Sequence, residues 1–286
     1  EIANQYAQIQ TAIAGAERVF EIMNAEIEDD SGELKFHADD VKGNISFKDI
    51  KFSYVPEKPV LKNFSLEVNQ GEKIAIVGAT GSGKTTVVNL LTRFYDIDSG
   101  SITIDGIDIS KVSKSELRKS IAIVLQDTVL FNGTIAQNIR YGKLDATNEE
   151  IAKAAESANA DVFIERLPDG YETELAESGG NLSQGQCQLL SIARAVLKDP
   201  KILVLDEATS SVDTRTEMHI QSAMVALMKN RTSLIIAHRL STIRDADKII
   251  VVDNGQVIES GSHEELLAQH GAYYRLYQNQ FEGKAT

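Results

Sequence analysis

The sequence predicts an α/β fold: a mostly parallel core sheet around a phosphate-binding loop, with an antiparallel β-subdomain toward the N-terminus and a helical subdomain inserted in the core. Three observations carry this prediction. The residues Gly78-Ala79-Thr80-Gly81-Ser82-Gly83-Lys84-Thr85 join an apolar run, Lys73 to Val77, to helix-forming sequence, which is the strand-loop-helix setting of a G-x-x-x-x-G-K-[ST] loop. Four runs, Ile74 to Val77, Ile121 to Leu125, Ile202 to Leu205 and Leu234 to Ile236, are continuously apolar, as strands buried on both faces are. Helical patterns stand between them, notably Lys84 to Tyr95, Ser183 to Leu197 and Thr214 to Met228, and strand alternating with helix implies a parallel sheet.

Taken in order, the chain opens on Ile2, Tyr6, Ile9, Ile13, Ala16, Phe20 and Met23, an apolar stripe at helical spacing. This helix either packs on its own domain or is the cytosolic end of a longer helix upstream. Glu26 to Gly43 is acidic and polar and reads as a linker, so residues 1–42 are set apart from a domain over 43–283. Ile45, Phe47, Ile50, Phe52 and Tyr54 mostly alternate, as does Val60 to Val68, which predicts antiparallel strands. The segment from about 115 to 198 is mostly helical and separates two core strands, so it forms a lobe.

Composition narrows the function classes. The 286 residues are 42% hydrophobic, enough for one large or two modest cores. A net charge of -13 argues against nucleic acid as a main partner, because neutralising phosphates needs clustered Lys and Arg. The single cysteine, Cys187, cannot form an intrachain disulfide, which favours a reducing setting. No stretch approaches the apolar length of a membrane span.

The loop carries the chemistry. Glycines let backbone N–H groups turn inward around phosphate oxygens, and the following helix adds the positive end of its dipole. Gly78, Thr80, Gly81, Ser82, Gly83, Lys84, Thr85 and Thr86 are therefore the expected phosphate contacts, with Lys84 reaching the β- and γ-phosphates and Thr85 offering its hydroxyl to Mg²⁺. The run Ile202 to Leu205 ends in Asp206 and Glu207. Asp206 is placed near Mg²⁺, and Glu207 faces the γ-phosphate, where a carboxylate can activate water.

Ser178-Gly179-Gly180-Asn181-Leu182-Ser183-Gln184-Gly185-Gln186, between the loop and the acidic strand, closely resembles the LSGGQ signature of ATP-binding cassette (ABC) proteins. The resemblance covers nearly everything from Gly43 to Phe281, and it implies the following roles. Tyr54 stacks on adenine; Gln126 touches Mg²⁺ and the attacking water and senses a transmembrane partner; His238 contacts the γ-phosphate. Ser211-Val212-Asp213 resembles the loop that links two halves of a dimer, and Glu177 the acidic residue that exporters place against their coupling helices. Ser183, Gly185 and Gln186 would act on ATP held by a second nucleotide-binding domain, closed head-to-tail.

Combined with the N-terminal stripe, the resemblance points to an exporter-type domain at the cytoplasmic face of a membrane, with a transmembrane domain fused upstream. Its ligands are ATP and Mg²⁺. A soluble ABC-type ATPase on ribosome or DNA is the alternative, but long heptad arms, a basic face and a tandem cassette are all absent. One departure stands out: Gln184 occupies the place of a family glycine. A Cβ there limits close backbone approach to a phosphate and disfavours positive φ. Either the altered signature serves a weaker site in an asymmetric heterodimer, or a homodimer tolerates it.

Overall fold

The computed structural model describes residues 2–125, 128–176, 179–206, 213–237 and 239–279. The chain divides into two compact units, one ending at Ser31 and one beginning at Gly32. The first holds a single helix, Ile2–Met23, none of whose residues is buried. No helix among the described residues is long and apolar enough to cross a membrane.

The second unit begins inside the expected linker. Glu33 and Leu34 donate their N–H groups to Lys111 O at 2.8 and 3.0 Å, and Phe36 and Val41 are buried. Two apolar residues spaced too widely to show a period suffice to tie an otherwise polar stretch to the core.

A four-stranded antiparallel sheet follows, in the order Lys58–Val68, Ile45–Val55, Ser99–Ile104, Ile107–Asp108. The alternating residues seen in the sequence point one way: Ile45 pairs with Val68 and Phe47 with Leu66, and Phe47 meets Phe64 edge-on at 5.7 Å. This face covers one side of the core sheet.

The core sheet has six strands, ordered Gln256–Gly261, Lys248–Asp253, Lys73–Val77, Thr232–Ile236, Ile202–Asp206, Ile121–Val124. All neighbours are parallel except the first pair, a hairpin. Ile74, Ile76, Val204 and Leu234 pack toward the antiparallel sheet and helix Lys84–Leu91. Ala75, Val77, Leu203, Leu205 and Ile235 pack toward the helices beyond the opposite face. Both faces are covered, so the strands need apolar residues at every position, and each fully buried Ile, Leu or Val stabilises by about 1.5–3 kcal/mol.

The helical region contains Ile135–Arg140, Asn148–Ser157, Asp161–Ile164 and Gln184–Lys198, all inserted between core strands Ile121–Val124 and Ile202–Asp206. Capping boxes at Thr134 with Gln137, Thr147 with Glu150 and Ser183 with Gln186 start three of these helices. Each box satisfies two otherwise orphaned N–H groups. Helix Lys84–Leu91 stops short of the expected Tyr95, because Arg93 takes a left-handed φ of 51°.

Candidate functional site

The loop between strand Lys73–Val77 and helix Lys84–Leu91 has a shape that its glycines alone permit. At Gly78 an added Cβ would lie 2.1 Å from Val252 O. At Gly83, which precedes the helix with φ 109°, it would lie 2.8 Å from Leu61 Cδ2. Gly81 has φ 80° but open space around it, so only the left-handed backbone requires glycine there. Ser82 N donates to Ala79 O, and Gly255 N donates to Ser82 O, both at 3.1 Å, which pins the loop to the neighbouring hairpin.

Lys84 is 8% exposed and lies back along the loop, its Nζ donating to Gly78 O and Ala79 O at 2.8 Å each. An ammonium carries three protons, so one remains for an anion. Burial pushes this ammonium below its ordinary pKa, and the Asp206 carboxylate works against that shift. A polyanion arriving here would restore the favoured charge. Beside the lysine, the Ser82 hydroxyl is buried with no partner among the described residues. An unpaired buried hydroxyl costs about 1–3 kcal/mol, which a phosphate oxygen would relieve.

Lys84 opens on a cleft of roughly 500 Å³, lined by Tyr54, Thr80, Gly81, Gly83, Lys84, Thr85, Thr86 and Asp206, all expected from the sequence; the expected contacts Gly78 and Ser82 are not among its lining residues. Its volume suits a ligand of nucleotide size. Tyr54 is held at one end. Its hydroxyl lies 3.2 Å from Thr86 Oγ1 and accepts from Asn89 Nδ2 at 3.1 Å, while its ring stands edge-on to Phe52 and Tyr95. Tyr54 is 45% exposed, which leaves part of it open to a base.

Val60 and Ile236 also line the cleft and escaped the sequence reading, as did Asn89 and Tyr95, which brace Tyr54. Nothing in a strand or helix pattern separates such residues from their neighbours.

Thr85 and Asp206 bring a hydroxyl and a carboxylate into the same cleft as Lys84. Among the described residues no group of three His, Cys, Asp or Glu side chains could hold a metal ion. A cation here would take most of its oxygens from water and from the ligand's phosphates, which is how Mg²⁺ binds beside a nucleotide.

Ser183, Gly185, Gln186 and Asp213 do not line this cleft. Ser183 caps helix Gln184–Lys198, accepting from Gln186 N at 3.3 Å and donating its own N–H to Gln186 Oε1 at 2.9 Å. Asp213 caps helix Thr214–Met228 through Thr216 N at 3.0 Å. Gln184 is the first helical residue, exposed and absent from the positive-φ positions, so the expected conformational strain of its Cβ does not arise. Gln126, Glu177, Glu207, Ser211 and His238 lie outside the described residues.

Similarity to known proteins agrees with this geometry. A family profile described as ABC transporter matches residues 61–210. An uncharacterized ABC transporter ATP-binding protein of Bacillus subtilis, YfiC, is 52% identical over 282 residues, covering 99% of this chain and 47% of that protein. A fatty acid ABC transporter ATP-binding/permease protein of Mycobacterium bovis is 51% identical, covering 96% and 43% respectively. An ATP-dependent lipid A-core flippase of Syntrophus aciditrophicus is 49% identical, covering 98% and 47%. Among solved structures, a bacterial Atm1-family ABC exporter with ATP bound superposes with a TM-score of 0.84 at 41% identity, covering 96% of this chain and 48% of that one. The chain thus spans about half the length of the curated relatives it matches.

Proposed function

This chain belongs to the ABC transporter family, and from that premise we propose that it is the ATP-hydrolysing motor of an exporter, one of a pair of units that close head-to-tail on ATP. The observation that carries the reading is a separation: the phosphate cleft is lined by Tyr54, Val60, six loop and helix-start residues between Thr80 and Thr86, Asp206 and Ile236, whereas Ser183, Gly185 and Gln186, at the start of helix Gln184–Lys198, are not among its lining residues. A signature that stands apart from its own chain's phosphates has work only on another chain's.

In this reading the nucleotide enters with its base on Tyr54 and its phosphates over the loop. Backbone N–H groups, the Lys84 ammonium and the Ser82 hydroxyl hold the phosphate oxygens and align the γ-phosphate. Thr85 and Asp206 would hold Mg²⁺, which when bound would supply positive charge to offset that of the phosphates. Glu207, following Asp206 in the sequence, is the base for the attacking water by family resemblance. Positioning and charge stabilisation dominate phosphoryl transfer, so a chain without its partner's Ser183 hydroxyl has an incomplete site. Closure and reopening of the pair then drive the membrane part between states.

The membrane partner is supported by an exposed apolar groove. Leu125, Val129, Phe131, Tyr141 and Leu144 are each at least 45% exposed, and all line it. Arg194 braces it, stacking 5.2 Å from the Phe131 ring centroid and donating to Val129 O at 2.7 Å. A transmembrane domain fused upstream would dock here from the cytoplasmic face, as in exporters and flippases. The relaxed geometry of Gln184 favours a second copy of this chain as the other unit.

Turnover as a function of chain concentration tests the pairing. The specific rate should rise with concentration and then plateau; a specific rate independent of concentration down to the nanomolar range, with the chain monomeric throughout, would sink the reading.

A further inference from the structure

Tyr54 stands where the backbone holds it least. Strand Ile45–Val55 pairs with Ser99–Ile104 only as far as Lys51, and its pairing with Lys58–Val68 shifts register between Ser53 and Val55. At such an irregularity a residue leaves the ladder, and the ladder no longer sets its direction. Side chains do so instead. Phe52 and Tyr95 meet the ring edge-on, with centroids 4.8 and 4.9 Å away. Tyr95 comes from the turn beyond helix Lys84–Leu91, and Arg118 straps that turn, donating from Nε to Thr92 O at 3.0 Å and from Nη2 to Arg93 O at 2.9 Å.

The hydroxyl is held separately. Thr86 and Asn89, one turn apart on helix Lys84–Leu91, share a face, and both reach the same phenol oxygen. Asn89 Nδ2 donates to it at 3.1 Å, which leaves the tyrosine's own proton for Thr86 Oγ1 at 3.2 Å. Asparagine is a weak helix former, so the helix by itself does not account for the residue at this place.

We infer that Asn89 is a positioning residue for the nucleotide: through the Tyr54 hydroxyl it fixes the base platform relative to the phosphate loop, and so strengthens binding of nucleotides without strengthening binding of bare phosphates. The inference rests on the reading of the cleft as an ATP site with Tyr54 under the base. One rigid element, helix Lys84–Leu91, then carries the phosphate-facing Lys84 and Thr85 in its first turn and the tether to the platform in the next. A tyrosine free to turn would have to be ordered each time a base arrived, and ordering one such side chain weakens binding by about two- to twelvefold. Asn89 and Thr86 order it beforehand.

Calorimetric titration of the chain with ADP and with inorganic pyrophosphate, each with Mg²⁺, tests this. The ratio of the two affinities isolates what the nucleoside contributes, and no turnover intervenes. Asn89→Leu should weaken ADP binding about three- to tenfold and leave pyrophosphate within about twofold. Tyr54→Phe keeps the ring and removes the shared oxygen, so it should weaken ADP by a similar factor; adding Asn89→Leu to it should then change ADP affinity by less than about twofold. A general loosening of the helix would instead weaken both ligands and act independently of Tyr54. Equal weakening of ADP and pyrophosphate, unchanged ADP affinity in Asn89→Leu, or losses that multiply in the double variant would each overturn the inference. Should Asn89→Leu fold poorly, Tyr54→Phe alone decides: ADP affinity that equals the wild type's overturns it. A wild-type chain that binds pyrophosphate as tightly as ADP, or binds neither, fails at an earlier point, removing the platform reading and this inference with it.

Discussion

The two ends of the signature-and-loop system are built on different principles. The phosphate loop is a constrained object: three glycines with positive φ, an unpaired buried hydroxyl and a buried lysine that lines the cleft. The signature is an ordinary helix start, a capping box with an exposed first residue. Strain and burial concentrate at the phosphate loop, whereas the signature's surroundings are relaxed, as expected if, as proposed, its ligand arrives from another chain. The same contrast explains why a side chain is tolerated at Gln184 but not at Gly78.

The largest expected effect lies at the constrained end. Lys84→Ala removes the ammonium proposed to meet the β- and γ-phosphates, so turnover should fall by at least about a thousandfold. The variant also loses the Nζ hydrogen bonds to Gly78 O and Ala79 O, so Tm without nucleotide should fall modestly; near-wild-type turnover in a folded variant would contradict the account of Lys84 as a ligand-facing group.

Next come the glycines. Gly78→Ala places a Cβ against Val252 O and should destabilise the fold by about 2–3 kcal/mol, read as a clear drop in Tm. Gly81→Ala meets open space and should cost only about 1 kcal/mol, from its left-handed backbone. Equal drops for the pair would break the distinction between contact and conformation.

Smaller effects belong to the relaxed end. Ser183→Ala loses the cap, worth about 1 kcal/mol, so Tm should fall slightly while ATP affinity of the single chain stays unchanged and turnover drops. Weakened ATP affinity in an isolated chain would place Ser183 on its own nucleotide. Smallest of all, Gln184→Gly trades a good helix former for glycine and should cost less than about 1 kcal/mol, with turnover within about twofold of wild type. A many-fold gain in turnover would restore the view that Gln184 weakens the shared site.

How much of this was legible in the sequence follows the same divide. The loop and Asp206 could be named because their chemistry demands particular residue types at fixed spacing, whereas Tyr54, one aromatic among several in a strand, could be named only through the family resemblance; Tyr54, Asp206 and most of the loop line one cleft. Core strands were legible because both faces are buried, which writes an unbroken apolar run into each. What stayed hidden depends on contacts made at long range or on single backbone angles. Phe36 and Val41 join the core from a polar segment, Asn89 and Tyr95 brace Tyr54 from a helix and the turn beyond it, and Arg93 ends a helix whose apolar pattern continues to Tyr95. A Cβ at Gln184 is expected to disfavour positive φ and to limit close backbone approach to a phosphate, and its place in the first helical turn answers the first of these.

The central claim is that the cleft is half of a site which a second copy's signature completes. Mixing two variants, each inactive alone, tests it most directly: Lys84→Ala, which keeps its signature, and Ser183→Arg, which keeps its loop. The account predicts that the mixture regains turnover, through pairs holding one intact composite site. Turnover that stays at the level of the separate variants, with mixed pairs shown to form, would contradict it.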